Sequence, residues 1–188
     1  MTAIDLDWLC GWAAAHGLEA AVDRLLTLSY VADVSEHMVI PLENARASTF
    51  SSLAHGLANL LHDDGRRILW VRQTGIWGDE TENMGTEAVR SLMIAHGGDP
   101  ESRGAIFEAG ESVILAVFLL VILEIGWDAY LLAESGAYAC LVSHDQYIEI
   151  AAGKGESLAE VTENVSGWKH YQTTRATLGG PHRTADSA

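Results

Sequence analysis

The stretch ESVILAVFLLVILEIGWDAYLLAESGAYACLVS, residues 111–143, decides the fold. Every residue from 113 to 123 is apolar, and Glu124 is the only charged residue between 113 and Gly126. A helix without a polar stripe has no face to turn towards water, so this run predicts a helix buried in the core. At about 1.5 Å per residue, residues 113–125 span roughly 20 Å, well short of the roughly 30 Å of a bilayer core. We therefore predict a central core helix and not a transmembrane one.

The pattern changes after Gly126, which follows the apolar run where a helix C-terminus is expected. Residues 127–132 and 138–142 are short β-rich runs around a glycine-containing link, an order typical of a hairpin. A third run, residues 146–151, follows a polar turn. The sequence therefore predicts a meander of three antiparallel strands covered by the apolar helix.

The remaining segments do not alternate as regular βαβ units, which favours an α+β fold. Trp8 and Trp12 share a helical spacing and are expected to pack inward. Pro41 cannot donate a hydrogen bond to a neighbouring strand, so it is expected in an edge strand or at the end of a strand. Helices are predicted over residues 5–15, 18–32, 48–62, 86–96 and 157–165, and strands over 37–42 and 67–74.

These elements predict a small antiparallel or mixed sheet of three to five strands, with helices packed around the central apolar helix. The chain is long enough for one well-filled core and short for two. We therefore expect a single α+β domain over residues 1–172 and a flexible C-terminal tail over residues 173–188.

The charge of the chain is strongly negative, with 26 acidic and 11 basic residues and a formal net charge of −15 at pH 7. Such a surface repels phosphate backbones, so nucleic acid is not an expected partner. It favours encounter with a basic protein, although an acidic surface can also serve solubility alone. Residues 1–7 carry two acids and no base, unlike a signal peptide. We expect a cytoplasmic protein in which Cys10 and Cys140 are reduced, buried thiols.

The chain offers no predicted metal, cofactor or catalytic site. Its eight histidines are scattered, without the close spacing that places ligands on one face of an element. Ser143-His144-Asp145 contains the residue types of a nucleophile, a base and an orienting acid. Adjacent residues of an extended chain point to opposite sides, so local turn hydrogen bonding explains this triplet better than catalysis. Glu124, if buried, would have a perturbed pKa, which leaves a catalytic alternative open.

An acidic segment follows Trp77 and is the main candidate for a contact surface. Asp79, Glu80 and Glu82 are predicted to lie in a loop beside this tryptophan. An aromatic anchor rimmed by carboxylates suits contact with a basic protein surface. The alternative is a solvated loop beside a buried tryptophan.

Three groups of residues between 68 and 150 resemble a pattern found in small acidic bacterial α+β proteins of the toxin-immunity type. They are Trp70-x-x-x-Thr74-Gly75-Ile76-Trp77 with Glu82-Asn83, Gly126-Trp127-Asp128-Ala129, and Ser143-His144-Asp145. In that pattern the residue after Ser-His-Asp is acidic, whereas here it is Gln146. The resemblance implies a protein that binds and blocks another protein, and it transfers no catalytic residue.

The leading hypothesis is therefore a non-enzymatic immunity protein that neutralises a cognate toxin, or another basic protein, by occluding a basic active-site surface. One alternative is a small hydrolase-like enzyme with a site around His144 and Asp145. Another is a homodimeric scaffold associating through Trp8, Trp12 and Trp168. Neither nucleic acid nor a membrane is an expected partner, and the chain would be a monomer or a homodimer. The predicted partner-binding residues are Trp77, Asp79, Glu80, Glu82, His144 and Asp145.

Overall fold

The computed structural model describes residues 1–22, 25–30, 36–42, 47–60, 65–73, 79–153, 155–164 and 167–173. Among them, no helix combines the length and the apolarity needed to cross a membrane. The helices are α1 (Leu6–Ala15), α2 (Ala47–Leu60), α3 (Asp79–Ala95), α4 (Ser112–Ile125) and α5 (Ala159–Asn164). The strands are β1 (Thr2–Ile4), β2 (Leu18–Val22), β3 (Leu26–Tyr30), β4 (Glu36–Pro41), β5 (Arg67–Gln73), β6 (Gly104–Phe107), β7 (Asp128–Ala133), β8 (Tyr138–Ser143), β9 (Tyr147–Ala152) and β10 (Tyr171–Thr173).

Eight of these strands form one antiparallel sheet in the order β1-β6-β5-β7-β8-β9-β4-β10. The α+β class and the β7-β8-β9 meander agree with the prediction, but the predicted small sheet of three to five strands is wrong. The meander is the middle of a larger sheet, because β5 pairs with β7 and β4 pairs with β9. Strands β1, β6 and β10 have only three or four residues, too few for a recognisable alternation.

Each face of the sheet carries its own apolar layer, because successive side chains of a strand point to opposite faces. On the first face, side chains such as Leu131 and Ile150 pack against α2 and α4. On the second face, side chains such as Leu132 and Leu141 pack with residues of α1 and of the β2-β3 hairpin. A central sheet with covering elements on both sides explains why every residue of β7 is buried.

Helix α4 is the predicted apolar helix, and it ends where expected, at Gly126 with φ 71°. Six of its residues, including Phe118 and Leu119, are buried against the sheet and α2. The expectation of complete burial is wrong, however, since Val113 is 67% exposed and Val117 is 40% exposed. The helix lies on the outside of its layer, so one apolar stripe faces solvent.

The predicted helix over residues 18–32 is also wrong, because this segment forms the two-stranded β2-β3 sheet. Its leucine spacing fits a helix, but Leu26, Leu28 and Tyr30 are the buried residues of β3 and follow the period of a strand. In α1, Trp12 is buried as predicted, while Trp8 is 37% exposed.

The start of α3 also differs from the prediction. Residues 79–83, expected as an acidic loop, belong to α3, which begins at Asp79 and not near residue 86. Pro41, expected in an edge strand or at a strand end, is the last residue of β4, which lies between β9 and β10. Strand β10 pairs only with residues 37–39 and leaves Pro41 without a neighbour on that side, so the missing N–H costs no strand hydrogen bond. Of the predicted tail, Thr173 ends β10 and residues 174–188 lie outside the described residues.

Strand β6 packs so closely against its neighbours that only glycine fits at position 104. A Cβ there would lie 3.1 Å from the carbonyl oxygen of Leu69 and 2.9 Å from Cγ1 of Ile4, and it would overlap the ring of Trp70. The carbonyl belongs to the β5 backbone, which cannot move without disturbing the sheet. Gly104 therefore sets the spacing at this side of the sheet.

Candidate functional site

One end of the sheet, which we call the His144 end, gathers the candidate residues. Strands β5 and β8 end there, and β7 and β9 begin there, as the pairing of Ser143 with Tyr147 shows. Helix α4 ends at the same place because only Gly126 and Trp127 separate it from β7. Helix α3 begins near it, since Gly85 packs against Ile125 and Trp127 so closely that a Cβ would overlap the Ile125 side chain.

The imidazole of His144 is held by Asp128, a residue that is 16 positions away in the sequence. The His144 backbone N–H donates to Asp128 Oδ1 at 2.8 Å, and His144 Nδ1 lies 2.8 Å from the same oxygen. Asp128 is only 1% exposed, so this carboxylate is part of the interior. Two hydrogen bonds to one buried oxygen fix both the backbone and the ring of His144.

Arg72 neutralises the buried charge of Asp128. Its guanidinium donates to Asp128 Oδ2 at 3.2 Å and to the carbonyl oxygen of Leu26 at 2.6 Å, so it also ties the β2-β3 hairpin to the sheet. Because Asp128 is ion-paired with Arg72, its Oδ1 acts as an acceptor, and His144 Nδ1 carries the proton. The outward atom of the imidazole is therefore Nε2.

The turn that carries His144 has a strained residue at its end. Residues 144–146 link β8 to β9, and the N–H of Gln146 donates to the carbonyl oxygen of Ser143 at 3.1 Å. Gln146 has φ 63°, the left-handed conformation that closes three-residue hairpin loops and that usually favours glycine. Its carbonyl oxygen accepts from the N–H of Leu42 at 2.7 Å, which fastens the turn to the residue after β4.

Ser143, His144 and Asp145 do not form a catalytic triad. The imidazole Nδ1 is bonded to Asp128, and Nε2 lies 3.5 Å from Asp145 Oδ1. Ser143 Oγ accepts from the Asp145 N–H at 3.2 Å and bonds with Tyr147, so it serves the turn. Burial raises the pKa of Tyr147, an effect that its bond with Ser143 partly offsets. Local turn bonding, as the sequence predicts, accounts for Ser143 and Asp145, whereas the partner of His144 is a different residue.

A cavity of about 340 Å³ opens beside His144, between the end of α4 and the β8-β9 turn. Polar and apolar groups contribute about equally to its walls, and its polar side chains include Glu124, which is exposed, and His144, which is partly exposed. Asp145, with a side chain 68% exposed, lies on the same turn. The apolar residues of the walls are Leu42, Phe50, Leu123, Ile125 and Val142.

The acidic segment predicted as a contact surface starts α3 at this same end. Asp79, Glu80 and Glu82 lie in the first turn of the helix, and Asp79 is about 9 Å along the helix axis from Gly85 at 1.5 Å per residue. Because α3 is anchored through Gly85 on Ile125, this turn and the cavity belong to one end of the molecule. Trp77 lies outside the described residues.

Behind the His144 end, deep burial raises the pKa values of Tyr30 and Tyr130. Tyr130 accepts from the N–H of Leu28 at 3.2 Å and so links β7 to the hairpin that covers it. Burial, together with the charge of Glu149, also raises the pKa of the Cys140 thiol. Both cysteines are free. A buried thiol with a raised pKa is a poor nucleophile, which excludes Cys140 as a reactive group.

Arg72 and Asp128 are the site residues that sequence reasoning missed. Asp128 lies in the Gly126-Trp127-Asp128-Ala129 motif and His144 in the Ser143-His144-Asp145 motif. The two residues meet only because the strand register pairs Ala129 with Val142.

Comparison with known proteins finds no matching family model, curated protein or solved structure. Among the described residues, no three His, Cys, Asp or Glu side chains are grouped to hold a metal ion. The site therefore offers a fixed imidazole, exposed carboxylates and a cavity with both polar and apolar walls.

Proposed function

We propose that this protein is a non-enzymatic immunity protein that binds a basic surface of a cognate bacterial toxin in the cytoplasm. The observation that carries the proposal is the cavity bordered by Glu124 and His144, at the end of the molecule where the acidic turn of α3 begins. A cavity with both apolar side chains and a carboxylate in its wall suits a lysine or arginine side chain, whose aliphatic stem prefers apolar walls while its charged head needs an anion.

The mode of action is occlusion. A net charge of −15 attracts a basic surface and orients the encounter. An arginine or lysine of the toxin enters the cavity past Leu123 and Ile125, and its charged head pairs with Glu124 or Asp145. A toxin that uses basic residues to hold an anionic substrate loses access to that substrate when those residues are covered. His144, fixed by Asp128, forms a rigid part of the rim and so limits the entropy lost on binding.

Co-expression with a toxin encoded beside this protein tests the proposal. The wild-type protein is expected to restore growth and to form a complex with the toxin that weakens with salt. Charge reversal at the rim, Glu124→Lys with Asp145→Lys, is expected to weaken binding at least tenfold, or by about 1.4 kcal/mol. Glu19→Lys, on the β2-β3 hairpin that covers the second face, is the matched control and should change affinity less than twofold. Equal losses from rim and control variants, or no protection by the wild type, contradict the proposal.

A second candidate function is hydrolysis with His144 as general base. It is favoured by one observation, the 2.8 Å bond between His144 Nδ1 and a buried carboxylate, which leaves Nε2 to accept a proton. This role requires that His144→Asn abolish a measured turnover of ester or phosphate-ester substrates while the protein stays folded. An unchanged rate in His144→Asn, or no turnover by the wild type, removes this candidate.

A further inference from the structure

Helix α4 presents a line of apolar side chains to solvent. Val113 is 67% exposed, Val117 is 40% exposed, and Leu120 is partly buried one turn further on. These residues and Glu124 follow the spacing i, i+4, i+7 and i+11, which places them on one side of a helix. We call this line the α4 stripe. The opposite side of the helix fills the core and Leu120 packs against its edge, so Val113 and Val117 are the two apolar residues that the core does not cover.

The α4 stripe leads directly into the His144 end. Eleven residues separate Val113 from Glu124, so at 1.5 Å per residue the stripe is about 16 Å long. Glu124, at one end of the line, also lines the cavity. Glu108, which is exposed, precedes the helix at the other end, whereas the Glu111 carboxylate is paired with the N-terminal amine of Met1 at 2.7 Å. A narrow apolar line of three turns, with carboxylates at both ends, matches the shape of one face of a second helix.

The charges at the ends of the α4 stripe favour a basic partner helix over a second copy of α4. Helix α4 contains no lysine or arginine. In an antiparallel pairing with a second copy, Glu124 of each copy would approach Glu108 of the other. In a parallel pairing, Glu124 would face its own counterpart. Both arrangements bring like charges together, which opposes association. A helix with basic residues beside its apolar face brings opposite charges together instead.

We propose that the α4 stripe binds an amphipathic helix of the basic partner, with the apolar side of that helix on Val113 and Val117 and a basic side chain near Glu124. This inference rests on the proposed function and specifies the form of the partner. The partner helix lies along α4 and directs its basic residue into the cavity, so the stripe and the cavity act as one surface.

Binding of designed peptides to the full chain tests this inference. The probe is a fluorescent peptide of about 14 residues, long enough to span the stripe, with leucine and lysine placed at helical spacing. The comparison peptides have the same composition in shuffled order, or glutamate in place of lysine. Anisotropy is measured at physiological ionic strength, where charges separated by more than about 8 Å are largely screened. We expect the helical basic peptide to bind at least tenfold more tightly than either comparison peptide.

Matched variants locate the binding. Val117→Gln is expected to weaken binding of the helical basic peptide about fivefold, because a partner can cover only the 40% of this side chain that is exposed. Val22→Gln removes a valine that is 55% exposed on the β2-β3 hairpin and should leave affinity within twofold. Both valines are exposed, so circular dichroism is expected to show both variants folded.

Four results overturn the inference. Equal binding of the helical and shuffled peptides would show that charge alone attracts them. Equal effects of Val117→Gln and Val22→Gln would place binding away from α4. A dimer in sedimentation experiments that Val117→Gln dissociates would identify a second copy as the occupant. Toxin neutralisation that depends on Glu124 but not on Val117 would overturn this inference and leave the proposed function standing.

Discussion

Asp128 connects the interior of the protein to the His144 end, and replacing it with asparagine is the most direct test of that connection. The substitution preserves the shape of the side chain and one acceptor oxygen, but it removes the charge that faces Arg72. The Arg72 side chain is only 14% exposed, so its guanidinium would keep a positive charge with little access to water. Removing one partner of a buried ion pair typically costs about 3–5 kcal/mol.

The lower end of this range applies here, because Arg72 keeps its bond to the Leu26 carbonyl and an asparagine oxygen can still accept from the His144 N–H. We therefore expect Asp128→Asn to lower the free energy of unfolding by about 3 kcal/mol. With a slope of about 2 kcal/mol per molar urea, the unfolding midpoint should fall by about 1.5 M. Circular dichroism during urea titration at pH 7 measures this shift.

A double-mutant cycle separates the ion pair from other effects. Arg72→Met combined with Asp128→Asn should cost at least about 1 kcal/mol less than the sum of the single changes, because the double variant leaves no buried charge unpaired. Asp145→Asn is the matched control; its side chain is 68% exposed, and its effect should stay within about 0.5 kcal/mol. A loss below about 1 kcal/mol for Asp128→Asn, or additive single effects, would refute the role assigned to the pair.

Three other predictions concern parts of the molecule away from this pair. Gly104→Ala should lower the free energy of unfolding by about 1–3 kcal/mol, since its Cβ would meet a neighbouring backbone carbonyl, whereas Gly110→Ala, with no atom within 4 Å, should be nearly neutral in urea titrations. Burial raises the pKa of Glu111, but hydrogen bonds and the N-terminal charge lower it by more, so the net shift is downward. The resulting stability is present above the unfolded pKa of about 4.3 and lost at lower pH, and Glu111→Gln should flatten the fall of melting temperature below about pH 5. Ellman's reagent should modify Cys10 in the folded protein but Cys140 only after unfolding; reaction of both thiols in the folded state would contradict the buried position of Cys140.

The parts of the fold that the sequence predicts are those in which one segment carries its own signal. The apolar run of α4 is uniform, Gly126 takes the left-handed conformation expected after a helix, and Gly136 does the same in the β7-β8 link. Burial of consecutive residues in β5 likewise follows from its contiguous apolar side chains. These features require no knowledge of distant pairing, and local pattern therefore suffices.

The parts that could not be predicted depend on pairing between distant segments. Strand β1 has three residues and exists because it pairs with β6, about 100 positions further along. The segment 18–32 has leucines that fit both a helix and a hairpin, and contact of β3 with the second face of the sheet selects the strand. Asp128 and His144 meet only because β7 and β8 pair in one register, and shifting that register by one residue would turn Asp128 to the other face.

The buried ion pair positions His144, in addition to any effect that the pair has on stability. A variant with an apolar pair of similar volume in place of Arg72 and Asp128 is expected to be about as stable as the wild type, since desolvation offsets most of the attraction between buried charges. What an apolar pair would not supply is an acceptor for both the backbone and the ring of His144. Without it, the β8-β9 turn would depend on Gln146, which is itself in a strained conformation. The ion pair behind the cavity therefore makes one rim of the proposed binding surface rigid before a partner binds. A rigid rim loses less conformational entropy when the complex forms.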